Sequence, residues 1–189
     1  MAKTLNVLTI CGSLRKGSFN GMVQRLLPEL APEGMALKAA PPFADFPIYN
    51  ADVQNASGIP ASVTALADAI RAADALIIVS PEYNFSIPGG LKNAIDWLSR
   101  VKEQPFAGKP IAIQSAAAGP VGGARMQYDL RKSLGGLDAL FLGKPEIFIG
   151  NAATKFDEST GALKDETTRG FIKTQLAAFA KFIERVGKA

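Results

Sequence analysis

With 189 residues, 48% of them apolar and 20% charged, the chain has the size and balance of one globular domain with a substantial core. It contains no histidine and a single cysteine, Cys11, which excludes Ser-His-Asp and Cys-His hydrolase arrangements, imidazole zinc sites, four-cysteine clusters and any disulfide within the chain. A formal net charge of +4 is spread over scattered lysines and arginines without a long basic run, which argues against nucleic acid as a partner.

An enzyme built from this inventory is expected to leave its hard chemistry to a bound cofactor, with no metal site. The opening residues MAKTLN lack the apolar core of a signal segment. No stretch reaches the uninterrupted apolar length that spans a bilayer. The expectation is therefore a soluble, cytoplasmic protein that does not bind membranes.

In chain order, Leu5, Val7, Leu8 and Ile10 form a short apolar run that predicts a buried strand. It ends at Gly12, where a side chain would clash, and passes into a polar loop, GSLRKGS. Ser18 stands just ahead of the helical spacing Val23, Leu26, Leu27, Leu30, where its hydroxyl can cap free backbone N–H groups. Residues 35–39 predict a second, shorter strand. Residues 40–60 are expected to be a long irregular passage whose Phe43, Phe46, Ile48 and Tyr49 serve either as core cover or as a wall of the substrate site.

Pro60 opens a helix bearing Val63, Leu66, Ala67 and Ile70. The run ALIIV before Ser80 has the continuous apolar character of a central parallel strand. A loop, SPEYNFSIPGG, leads to a helix marked by Leu91, Ala94, Ile95 and Leu98. PIAIQ at 110–114 is the next strand, SAAAGPVGG the loop after it, and residues 124–134 a helix with Met126, Leu130 and Leu134 on one side. Residues 140–142 and 147–149 form one interrupted strand region, and a last helix carries Ile172, Leu176, Phe179 and Ile183. The alternation predicts an α/β fold: a flavodoxin-like, doubly wound, five-stranded parallel sheet with about five helices on both faces, in a single domain spanning 1–189.

In such a sheet ligands bind at the carboxyl ends of the strands, so the loops at 12–18, 81–90 and 115–123 are expected to converge. The first loop lacks the GxGxxG dinucleotide pattern, and Ser18 stands where a Walker loop needs lysine. It retains the hydroxyls of Ser13 and Ser18, the Arg15 guanidinium, the Asn20 amide and several backbone N–H groups, a set suited to a phosphate monoester. Taken singly, Ser18 reads as a helix cap and Arg15 as a surface charge; taken as a set, they read as a phosphate site.

GSLRKGSFN resembles the GSxRxxSxN signature of the NADPH-dependent FMN reductases, and PEYNFSIPGGLKNAIDWLSR resembles that family's second signature. The resemblance runs from about Leu5 to Ile183. It implies bound FMN with its phosphate on Ser13, Arg15, Ser18 and Asn20, and Phe19 also in contact with the cofactor. It also implies a ring lying along Pro81, Glu82, Tyr83 and Asn84, with Ser115 and the loop from Ala116 to Gly119 on the pyrimidine side.

The resemblance further implies a ping-pong oxidoreductase: NADPH or NADH delivers a hydride to flavin N5 and leaves, and a quinone, or opportunistically chromate or another metal oxyanion, takes the electrons. No side chain need be catalytic. Tyr49, Arg100 and Arg125 are candidate substrate contacts, and Arg125, Tyr128 and Glu146 match a contact set through which family members form dimers or tetramers. Cys11 reads as a strand-end residue and Trp97 as packing. A flavodoxin-type electron carrier and a non-catalytic FMN-binding module share the fold and stand as alternatives.

Overall fold

The computed structural model describes residues 4–187. Its elements are β1 (Leu5–Cys11), α1 (Phe19–Leu30), β2 (Met35–Ala39), α2 (Ala51–Ser57), α3 (Ala61–Ala72), β3 (Ala75–Val79), α4 (Gly89–Leu98), β4 (Pro110–Ala116), α5 (Ala124–Gly135), β5 (Leu140–Phe141), β6 (Ile147–Ile149), α6 (Ala152–Lys155) and α7 (Glu166–Val186). All strand pairings are parallel, in the order β2-β1-β3-β4-β5, and β6 also pairs with β4. β5 lies beside Pro110 and Ile111 and β6 beside residues 114–116, so together they fill the fifth position as one broken strand.

Side chains of a strand alternate between faces, and the two cores follow that rule. Ala75, Ile77 and Val79 of β3 face α1 and α7, meeting Val23, Leu27, Leu176 and Phe179. Leu76 and Ile78 face α3, α4 and α5, meeting Val63, Ile70, Leu91, Trp97 and Leu130. Every residue of β3 and β4 is buried, as a central parallel strand covered on both faces requires. Trp97 is fully buried, and its indole N–H donates to Pro47 O at 2.7 Å.

The structure departs from the sequence expectation in three places. Residues 40–60 are not wholly irregular, because they contain α2. That helix buries no side chain and so leaves no apolar spacing to read; the Asn50 side chain accepting from Asp52 N starts it, and Gly58 at φ 75° ends it. The short α6 is a further element, which with α2 brings the helices among the described residues to seven. β4 also runs two residues beyond Gln114, because Ser115 and Ala116 pair with Phe148 and Ile149.

Candidate functional site

The carboxyl ends of β1, β3 and β4 bring the three loops together. Gly12 continues the ladder, its N–H donating to Val79 O at 2.9 Å, and the chain then passes close to Ser80: a Cβ at position 12 would lie 2.2 Å from Ser80 Oγ. Ser18 is extended (φ −74°, ψ 134°) and its Oγ accepts from Asn20 N at 3.2 Å, which makes it the N-cap of α1. Ser13 Oγ accepts from Arg15 N at 3.4 Å, curling the loop, and the Arg15 side chain is exposed. The first turn of α1 carries no acidic residue, so nothing there offsets the positive end of the helix.

Asn20 does a different job from its neighbours. Its Nδ2 donates to Ala116 O at 2.8 Å and its Oδ1 accepts from Ala116 N at 2.9 Å. This buried amide copies a strand-to-strand pairing and bolts the start of α1 to the end of β4. Asn20 thus braces two walls of the site.

The second wall is the loop after β3. Tyr83 and Ser86 exchange two backbone hydrogen bonds at 3.0 Å around Asn84 (φ 49°) and Phe85 (φ 68°), a two-residue turn with both central residues left-handed. The third wall, residues 116–118, carries only methyl side chains, so a flat molecule can approach its backbone closely.

Between these walls lies a cavity of about 220 Å³. Ser13, Arg15, Ser18, Phe19 and Asn20 form one side, Pro81, Glu82 and Tyr83 another, and residues 116–118 the third. Tyr83 and Ala118 at its rim are exposed, so the cleft is open to solvent there. Hydroxyls, a guanidinium and a helix N-terminus line one side and small side chains another, a donor set that fits a phosphorylated planar cofactor such as FMN. A roomier groove of about 610 Å³ runs between β2 and α3, but it is lined largely by alanines and gathers no comparable set of polar groups.

Other sequence-predicted residues sit elsewhere. Ser115 is fully buried; its Oγ donates to Gly122 O at 2.6 Å and accepts from Gln127 Nε2 at 2.8 Å, which shapes the third loop from behind. Asn84 and Gly119 are exposed and do not line the cavity. Tyr49 packs edge-on against Trp97 at 5.1 Å with the Arg100 guanidinium 5.2 Å from its ring centre, and this cluster is also off the cavity. Arg125 pairs with Glu82 at 2.9 Å and covers the Phe85 ring at 4.1 Å. Tyr128 is exposed beside Phe148, and Glu146 pairs with Lys144.

Ala117 and Ala118, inside the Ala116 to Gly119 loop that the resemblance sets beside the ring, line the cavity with Ala116. Burial pushes the Cys11 thiol above its ordinary pKa, which keeps it protonated and a poor nucleophile near neutral pH. Among the described residues no helix is long and apolar enough to cross a membrane, and no cluster of three or more His, Cys, Asp or Glu is placed to hold a metal ion.

The profile of the NADPH-dependent FMN reductase family matches residues 5–154, which take in all three walls of the cleft. The chain belongs to that family. It is an NAD(P)H-dependent FMN oxidoreductase by that membership. A quinone reductase of Escherichia coli K12 is 55% identical over 186 residues, 98% of this chain and 99% of that one. An NAD(P)H-dependent FMN reductase of Pseudomonas aeruginosa is 46% identical over 98% of this chain and 99% of its own. Among solved structures, the flavoenzyme NAD(P)H:(acceptor) oxidoreductase FerB of Paracoccus denitrificans superposes with a TM-score of 0.84 at 34% identity, covering 96% of this chain and 98% of its own.

Proposed function

We propose that this family member is an FMN-containing NAD(P)H:quinone oxidoreductase that works by two successive half-reactions at one site, with chromate and other metal oxyanions as opportunistic acceptors. The observation that carries the reading is the cleft itself, with anion donors on one wall, methyl side chains on another and an open rim. When bound, FMN supplies the hydride acceptor and electron relay between the nicotinamide and the quinone.

The residues of the chain bind and orient. Ser13, Arg15, Ser18 and the first N–H groups of α1 hold the phosphate, with Phe19 beside them. Pro81, Glu82 and Tyr83 and residues 116–118 flank the ring, while Asn20 ties the phosphate wall at the start of α1 to the 116–118 wall. The exposed rim gives nicotinamide and quinone one entrance, which favours sequential use of the same face.

The chain acts in this reading as one cytoplasmic domain that self-associates, as a dimer or tetramer, through the α5 face carrying Arg125 and Tyr128 and the nearby Glu146; the exposure of Tyr128 supports that surface. Purified protein should be yellow, bleach with NAD(P)H under anaerobic conditions, and recover its colour on adding a quinone, with parallel lines in double-reciprocal plots. A protein that takes up FMN and shows no NAD(P)H-dependent bleaching would overturn the enzymatic reading. For assembly, Tyr128→Ala should lower the mass measured in solution, and an unchanged mass refutes the contact.

A further inference from the structure

Glu82 has a side chain only 12% exposed, and its carboxylate is spent on a different part of the fold. Oε2 accepts from Arg125 N at 3.0 Å and from Met126 N at 3.3 Å, and Oε1 accepts from Arg125 Nη1 at 2.9 Å. The first two donors are free N–H groups at the start of α5. Gly123, at the N-cap of that helix, has no side chain to satisfy them. A residue 43 positions earlier therefore supplies the cap, and its negative charge lies at the positive end of the helix.

Two more contacts join the same pair of elements. Ser86 Oγ donates to Asp129 Oδ2 at 2.7 Å, and this bond together with Lys132 holds the Asp129 carboxyl below its ordinary pKa. The Arg125 guanidinium covers Phe85. The turn so held is one that seldom holds itself: Phe85 occupies the left-handed region, where a two-residue hairpin turn of this kind favours glycine.

We propose that Glu82 is a positioning residue, a clasp that fixes the 81–86 wall of the cofactor slot to the N-terminus of α5 and so sets how closely that wall meets the ring. This rests on the FMN reading above. The carboxylate takes no proton in the reaction; its work is to hold Pro81 and Tyr83 in place while α5 provides the anchor. Gln at this position keeps an oxygen for both backbone donors, whereas Ala leaves them without a partner and frees the turn.

The test is fluorescence titration of apoprotein with FMN, the visible spectrum of the loaded form, and kcat and KM for a quinone at saturating FMN. Glu82→Ala should raise the FMN dissociation constant about tenfold, move the visible band and lower kcat, with Glu82→Gln returning to within about threefold of wild type. Arg15→Ala should weaken FMN binding while leaving the visible band in place. Ser86→Ala, which cuts the second tie without touching the helix cap, should move the band in the same direction by less, and it decides the matter if Glu82→Ala does not fold.

A Glu82→Ala protein that melts earlier yet keeps the spectrum and kcat of wild type would reduce Glu82 to a helix cap and overturn the assignment. So would a Ser86→Ala protein identical to wild type. If wild type itself takes up no FMN, the functional reading fails first; if it takes up FMN and only the Glu82 variants are silent, the clasp alone fails.

Discussion

In Gly12→Ala the new methyl carbon would sit 2.2 Å from Ser80 Oγ, 2.6 Å from Ser80 Cβ and 3.0 Å from Leu91 Cδ2. Rotating the serine relieves the first clash but not the second, because Cβ does not move with χ1. Ser80 is fully buried, so the strain passes to the backbones of the two loops that follow β1 and β3. Overpacking of this kind costs roughly 1–3 kcal/mol, and in a chain of this length each of those should lower the melting temperature by about 2–4 °C.

Because the displaced loops are two walls of one cleft, FMN affinity should fall as well, by about tenfold for a 1.4 kcal/mol loss. Thermal denaturation of the apoprotein with fluorescence titration by FMN measures both. Ser80→Gly in the same chain removes both offending atoms and should recover most of each loss. A Gly12→Ala protein with wild-type melting temperature and affinity, or a double variant no better than the single, would refute the close-approach argument.

Arg15→Ala removes a charge-assisted donor worth about 1.5–3 kcal/mol, so FMN should bind roughly 10–100-fold more weakly while turnover of the fully loaded enzyme is little changed; the reverse pattern would mean that the loop does not hold the phosphate. Asn20→Ala leaves the buried Ala116 N and O unpaired and should cost about 2 kcal/mol in urea denaturation, with a loss of FMN affinity as the third wall drifts. Asp157 accepts from Ser159 Oγ and from the backbone N–H groups of Thr160 and Ser159, which hold its carboxyl down to about 2. A depressed carboxylate stabilises the fold above its unfolded pKa, so the melting-temperature gap between wild type and Asp157→Asn should be present at pH 5 and close as pH falls from about 4 to about 2.

The strand–loop–helix at the start of the chain was readable because burial and chemistry there are local. Val7, Leu8 and Ile10 are apolar because the sheet buries them, and Ser18 caps a helix that begins one residue later. The roles of Asn20, Ser115 and Glu82 were not readable, although all three were picked out. Asn20 answers to Ala116, 96 residues away, and Glu82 to Arg125 and Met126, more than 40 residues on. No spacing rule connects such pairs, and a polar side chain near a cofactor motif looks the same whether it touches the ligand or holds its neighbour. α2 escaped for the opposite reason: it touches so little of the core that its sequence carries no period.

Ala112 and Ile113 of β4 pair with β3 on one side, but the break between β5 and β6 leaves them without a strand on the other. Gln175 of α7 reaches into the opening: its Nε2 donates to Pro145 O at 2.8 Å and to Ile113 O at 3.3 Å, and its Oε1 accepts from Gln114 Nε2 at 2.8 Å. A helix that otherwise rests on the sheet through grease is thereby keyed to it at one angular setting. Sliding α7 by a single residue would withdraw the amide and strand three polar groups in the dry interior. The last helix is thus indexed like a gear tooth, and a chain cut after the family match at residue 154 would lose hydrogen-bond partners from the middle of its sheet as well as an apolar cover.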